Sequence, residues 1–261
     1  MKTYDKFLKY YDEIVRGVNS PLEEEVEFLI EDVINEHKPD TKNILETACG
    51  TGVIAREIIK KGYSVTGLDM SENMLKMAEV NLKTSPLTPL LRRRGGGQKK
   101  DAGLVLADMT DFDLEETFDT VLCNYNSICH LLKWEDWVKF IEMANKHLEK
   151  DGLFVFDINT LYEFENITKD FAQFYTFGDD NVCLEMFKVG GYFEWLVKIY
   201  EKSDDGRFDL TTEVVRENSF PISKIEKELK QQGFKVLEKI DYHYGEVTAK
   251  SERVYFICKK K

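Results

Sequence analysis

Glu46, Gly50 and Gly52 enclose Ala48 and Cys49 in a short turn directly after the apolar pair Ile44-Leu45, and Asp69 stands 17 residues beyond Gly52. Glycines in such a turn let a ligand come close to the backbone. A helix starting at Thr51 would aim unpaired N–H groups at that ligand. A carboxylate at the tip of the next strand, here Asp69, is placed to grip the two hydroxyls of a ribose. A dinucleotide fingerprint reads G-x-G-x-x-G and brings a pyrophosphate to the helix start. Here the run is Glu46-x-Ala48-x-Gly50-x-Gly52, with the tolerated Ala55 in the last glycine position. Glu46 would repel a pyrophosphate and attract a cation. The chemistry expected is therefore the holding of a positively charged nucleoside.

These residues need a strand–turn–helix scaffold, and the patterns supply one. Residues 43–47 read as a strand, followed by a helix whose apolar positions are Val53, Ile54, Ile58 and Ile59. A second strand, 63–69, leads to Ser71 as cap of a helix reaching Lys83. Gly103 to Asp108 is a third strand tipped by an acid, which either meets the ligand or caps the turn at 110–114. Phe118 to Asn124 is a fourth, and Leu153 to Ile158, after a helix from Trp134 to Leu148 ended by Asp151-Gly152, is a fifth. The spacing predicts a doubly wound, Rossmann-like α/β fold. Two helices precede it, over 1–19 and 21–37, with Pro21 in the first turn of the second and Ser20 as its cap. Between 171 and 220 four β-segments alternate with Gly- and Asp-rich turns, the signature of an inserted antiparallel sheet. A helix from Pro221 to Gly233 and strands over 234–244 and 253–259 complete the chain. The stretch 84–100, with two prolines, three arginines and three consecutive glycines, reads as a low-complexity insertion away from the site. The expected division is a core of 1–170 with 221–261, and an inserted element of 171–220.

The turn from Glu46 to Gly52 resembles the first motif of class I S-adenosylmethionine-dependent methyltransferases, and the motif order downstream is similar to theirs. The resemblance implies S-adenosyl-L-methionine as cofactor and a seven-stranded sheet closed by an antiparallel seventh strand. Tyr4-Asp5 and Tyr11-Asp12 resemble an opening helix that folds over the cofactor, which makes Tyr4 and Tyr11 cofactor contacts. A helix that merely packs on the sheet is the alternative. Asp69-Met70-Ser71 implies ribose binding by Asp69 and adenine against Met70. Asp108-Met109 implies that the Asp108 carboxylate takes the adenine amino group and the backbone there the ring. Ala48, Cys49 and Asn124 join the implied cofactor set. Ser127-Ile128-Cys129-His130-Leu131 resembles a segment of amino-sugar N-methyltransferases in which the histidine faces the acceptor, so His130 is the candidate base. Asn126 and Asp157, on neighbouring strand ends, are the expected acceptor contacts. Inserted sheets in such enzymes roof the acceptor or build a homodimer, with Tyr175, Tyr192, Phe193 and Trp195 as aromatic surface.

Composition narrows the partners. Hydrophobic residues make up 43% of the 261-residue chain, enough for a real core. Net charge is −12, and the only basic cluster is Arg92 to Arg94 with Lys99 and Lys100, so nucleic acid is disfavoured as substrate. No apolar run nears the ~20 residues that span a bilayer. The five cysteines form no C-x-x-C pair, which argues against structural zinc or a disulfide framework and for a cytoplasmic protein. The expected activity is methyl transfer to an amine or hydroxyl of a small molecule. The alternatives are a non-catalytic cofactor-binding module and a nicotinamide-dependent oxidoreductase. For the latter a Tyr-x-x-x-Lys pair is missing, because Cys129 stands four residues after Tyr125.

Overall fold

Ile44 and Leu45 point to opposite faces of one strand, as do Leu122 and Val121 of another, yet all four are fully buried. Strands apolar on both faces need cover on both sides. In the computed structural model, which describes residues 6–18, 21–83, 103–167, 172–243 and 245–261, Ile44 and Leu122 pack with Val33, Ile54 and Ile58 on one side. Leu45 and Val121 pack with Phe140 and Ile141 on the other. Tyr4, Ser20, Tyr244 and the 84–100 stretch lie outside the described residues.

The chain begins with helix α1 (Leu8–Val18). A helical run follows, built of α2 (Leu22–Glu27), a π-helical stretch (Phe28–Ile34) and α3 (Asn35–His37). Then come β1 (Asn43–Thr47), α4 (Val53–Lys60), β2 (Ser64–Asp69), α5 (Glu72–Lys83), β3 (Gly103–Leu106) and β4 (Phe118–Cys123). A 3-10 turn (Ser127–His130), α6 (Trp134–His147), β5 (Leu148–Asn159) and α7 (Leu161–Ile167) lead into the inserted strands. These are β6 (Ala172–Phe177), β7 (Asp180–Val189), β8 (Tyr192–Lys202) and β9 (Phe208–Glu217). α8 (Ile222–Gln231), β10 (Phe234–Asp241) and β11 (Arg253–Lys260) finish the fold.

The main sheet has the order β10-β11-β5-β4-β1-β2-β3, parallel except for β11, which runs antiparallel to both its neighbours. This is the expected seven-stranded sheet with its antiparallel seventh strand. The strand order reverses between β1 and β4, so their carboxyl ends part and leave a crevice there. Glu46 and Ala48 stand on one lip of it, Asn124 to Asn126 on the other.

Several details depart from the sequence reading. Pro21 precedes the helix as its cap residue instead of filling the first turn. β5 begins at Leu148, directly after α6, and Asp151 takes a left-handed φ of 62° within it. β3 stops at Leu106 and β4 at Cys123, which leaves Asp108 and Asn124 on loops. α7 was not foreseen; seven residues hold too few turns to display a period.

The second sheet, order β6-β7-β8-β9, is antiparallel throughout. Its inner face presents Val182, Leu184, Val197, Ile199 and Val215 to Phe7, Tyr10 and Ile14 of the first helical segment. Glu213 Oε1 accepts the backbone N–H of Lys6 (2.7 Å) and of Phe7 (3.2 Å), capping the start of that segment. The apolar stripe of α1 is thus spent on the inserted sheet, and its other side is left for the crevice. The sheet's outer face exposes Phe174 (75%), Phe187, Phe208 and Leu210. No helix among the described residues is long and apolar enough to cross a membrane.

Candidate active site

The turn after β1 is wound in left-handed backbone, with φ of 51° at Ala48, 53° at Gly50 and 70° at Gly52. A side chain at Gly52 would collide with Ala78 of α5, its Cβ 2.9 Å from that of Ala78. Glycine there serves the conformation and the helix packing at once. Asp69 locks the turn from the neighbouring strand: its Oδ2 accepts Gly50 N–H and its Oδ1 accepts Ser71 N–H, each at 2.8 Å. Ser71 caps α5 as expected, its Oγ accepting Met74 N–H at 3.3 Å. Burial pushes the Asp69 carboxyl above the usual range, against the pull of those backbone bonds.

A pocket of about 460 Å³ opens on this turn, walled by Glu46, Cys49, Gly50, Asn124, Tyr11 and Asp12 among others. Glu46 is buried, and burial together with the nearby Asp69 charge pushes its carboxyl up to about 8. Its Oε2 has no hydrogen-bond partner, and neither do Oδ1 and Nδ2 of the buried Asn124. Buried polar atoms without partners are uncommon and costly. Two acceptors and a donor left open beside a glycine turn fit the polar, cationic end of S-adenosylmethionine.

α1 reaches the same place from the other side. Thr51 Oγ1 donates to Asp12 Oδ1 at 2.6 Å, while Asn81 Nδ2 donates to the Thr51 carbonyl. Sequence reasoning placed Tyr11 here but missed Asp12, which its position beside Tyr11 could have suggested. Both are in the pocket wall. Met70, at the tip of β2, is 73% exposed, whereas Met109 is buried.

A second pocket of about 690 Å³ adjoins the first and shares Tyr11, Val15 and Tyr125 with it. Its walls are apolar where α1 and the inserted sheet meet and polar at the lip after β4. Tyr125 and Asn126 take left-handed φ of 53° and 47°, which turns the chain sharply and lifts His130 to the pocket. His130 Nδ1 lies 3.4 Å from the Arg216 carbonyl and 3.9 Å from Glu217 Oε1. Glu217 was absent from the sequence reading. Its two oxygens accept Asn126 Nδ2 at 3.1 Å and Trp195 Nε1 at 2.7 Å. A signal existed: the inward positions 213, 215 and 217 of β9 read Glu, Val, Glu, and a carboxylate on a buried face calls for a partner.

Two expected contacts are placed elsewhere. Asp157 is fully buried, with Oδ2 bonded to Arg253 Nε (2.6 Å) and to Asn126 N–H (2.7 Å). It supports the lip from beneath and is not offered to an acceptor. Asp108 is exposed, and its Oδ1 accepts Thr110 N–H and Oγ1–H at 2.8 and 2.7 Å. It closes its own turn, as the capping alternative anticipated, and lines neither pocket. Of the aromatics, Trp195 lines the second pocket, while Phe193 stacks on Phe164 at 4.5 Å and Tyr192 lies under Arg216. All five cysteines are buried free thiols.

Residues 44–152 match the family described as a methyltransferase domain. A methyltransferase-named protein of Geobacillus sp. (strain WCH70) is 26% identical over 99% of this chain and all of its own length. The dTDP-3-amino-3,6-dideoxy-alpha-D-glucopyranose N,N-dimethyltransferase of Streptomyces fradiae is 32% identical over 47% of this chain and 42% of its own. Among solved structures, an S-adenosylmethionine-dependent methyltransferase from Clostridium acetobutylicum superposes with a TM-score of 0.82 at 23% identity, covering 98% of both chains. That likeness establishes the fold.

Proposed function

We propose that this chain, a class I S-adenosylmethionine-dependent methyltransferase, acts on the nitrogen of a small-molecule amine. The observation that carries the reading is the junction of the two pockets. A cation-adapted pocket at the glycine turn opens, across Tyr11 and Tyr125, into one holding a histidine and a carboxylate. The Streptomyces fradiae relative, by its name, methylates an amino group.

When bound, S-adenosylmethionine supplies a methyl carbon already activated by its sulfonium. The chain's own work is to hold, orient and dry. Glu46 and Asn124 would meet the charged methionine end, Asp69 the ribose, and the Asp12–Thr51 bond fastens α1 over both. Holding nucleophile and electrophile in line supplies ~7–11 kcal/mol at best. A carbonyl oxygen only accepts, so the Nδ1 of His130 that faces Arg216 carries the proton and Nε2 holds the lone pair. His130 Nε2 then takes the proton the amine must shed.

His130→Ala is expected to lower turnover by roughly a hundred-fold or more while the cofactor Kd stays put. An unchanged pH–rate profile for that variant would remove His130 from the mechanism. The activity itself is tested by following radiolabelled methyl from S-adenosylmethionine into a set of amines and alcohols; labelling of alcohols alone defeats the nitrogen assignment.

Glu46 predicts a pH dependence of cofactor binding. Neutral in the free protein below about 8, it must lose its proton to face a cation, so affinity rises with pH. Between about pH 6 and about pH 7.5, below where the ligand's own amine titrates, the rise is expected to approach ten-fold per unit. Isothermal titration of Glu46→Gln should give a flat line over the same range. Equal slopes for the two proteins would take Glu46 out of contact with the ligand.

A further inference from the structure

The second pocket carries more information than the reaction type. We infer that the acceptor is an unphosphorylated amine on an apolar body, held by the Glu217 carboxylate, and that a nucleoside-diphosphate-linked amine is excluded. This rests on the nitrogen-methylating reading above and names the class of substrate within it.

Glu217 is 5% exposed. A carboxylate has about four acceptor positions, of which Asn126 Nδ2 and Trp195 Nε1 use one on each oxygen. Each oxygen therefore keeps one for a ligand. Both donors are neutral, and the only ion-pairing group within 4.0 Å of it among the described residues is His130. A buried carboxylate without a fixed cation is costly, and an ammonium group entering the pocket would relieve that cost.

The remaining walls point the same way. Phe7, Ile14, Leu184, Val197 and Val215 are apolar, and among the described residues no lysine or arginine lines either pocket. A diphosphate is normally met by arginine, lysine or a helix start. Strand alternation turns the nearby cations outward: Arg216 pairs with Glu194 and Lys198 with Glu185 on the far face of the inserted sheet. Glu217 would instead repel a phosphate. When the amine nitrogen bonds to the methyl carbon, the carbon–sulfur bond breaks with its electrons going to sulfur. The lone pair for that bond is freed beforehand, when the bound ammonium gives one proton to His130, which passes it to solvent.

The test uses the intact enzyme with three probes: benzylamine, benzyl alcohol and UDP-glucosamine. Methyl transfer is followed from radiolabelled S-adenosylmethionine, and binding of each probe to the enzyme–S-adenosylhomocysteine complex is followed by calorimetry. Benzylamine is expected to bind and to be methylated with a kcat/KM at least about ten-fold above UDP-glucosamine, the scale of one charge-assisted hydrogen bond. Glu217→Gln should raise the benzylamine KM by about ten-fold or more with the cofactor Kd unchanged. UDP-glucosamine binding or reacting as well as benzylamine overturns the inference, as does an unmoved KM in the variant or failure of benzylamine to bind at all. These comparisons on the unaltered enzyme stand even if the variant misfolds. Labelling of benzyl alcohol with no labelled amine refutes instead the nitrogen reading on which the inference rests.

Discussion

Asp69→Ala is expected to weaken S-adenosylmethionine binding by roughly a hundred- to ten-thousand-fold, the loss of two charge-assisted hydrogen bonds at about 1.5–3 kcal/mol each. Each Asp69 oxygen already accepts one backbone N–H, from Gly50 or from Ser71, and each has room for one ribose hydroxyl more. The substitution therefore removes the ligand contact and the clamp on the glycine turn together. Asp69→Asn should fall between, because the amide oxygen keeps one acceptor and the amide nitrogen faces a donor. Isothermal titration reads both variants. A wild-type Kd in the alanine protein would refute the ribose assignment, since Glu46, the other carboxylate beside the turn, is assigned to the charged methionine end of the ligand.

Arg253→Met should be among the most destabilising single changes in the protein. Arg253 is buried, with Nε on Asp157 at 2.6 Å and Nη2 at 3.3 and 3.4 Å from the two Glu25 oxygens. Tyr255 donates its hydroxyl to Glu25 at 2.8 Å, and the rings of Tyr125, Tyr242 and Tyr255 surround the guanidinium. The two carboxylates hold Arg253 well above its ordinary value, while burial pushes Asp157 up. Methionine fills the volume but takes away the guanidinium that both buried carboxylates face, a loss of about 3–5 kcal/mol. For a chain of this size that lowers Tm by about 10 °C. Adding Glu25→Gln and Asp157→Asn should recover part of the loss, because the buried negative charges that faced the guanidinium disappear with them. Urea unfolding measures each variant, and a loss under about 1 kcal/mol in the single variant would mean that water already screens the cluster.

The cluster also separates what is legible in a sequence from what is not. Glu46, Gly50 and Gly52 lie within one turn, and Asp69 one strand further on. Their relation follows from local rules: an apolar run, a small-residue turn, a helical period, a second strand. The inserted strands were legible for the same reason, as alternation between turn residues predicted four segments within a few residues of β6 to β9. Asp157 obeyed the local rule as well, an acid near the end of a buried strand, yet it faces inward. Its register opposite Tyr255 of β11 brings Arg253 and Glu25 to it from the two ends of the chain. Asp108 shows the converse: a strand two residues shorter than expected put its carboxylate on a loop, where its own backbone claims it first.

By itself, then, the sequence determined the doubly wound sheet, the glycine turn and the acids beside it, because side-chain period and turn chemistry act over a few residues. Only the tertiary structure decided which carboxylates face the crevice. Glu217 reaches it through a strand of the second sheet, Asp12 through a helix held down by that sheet, and Asp157 is withheld by a partner 96 positions away. A strand's alternation chooses a face, but what fills the space opposite that face comes from distant chain, and no local pattern records it.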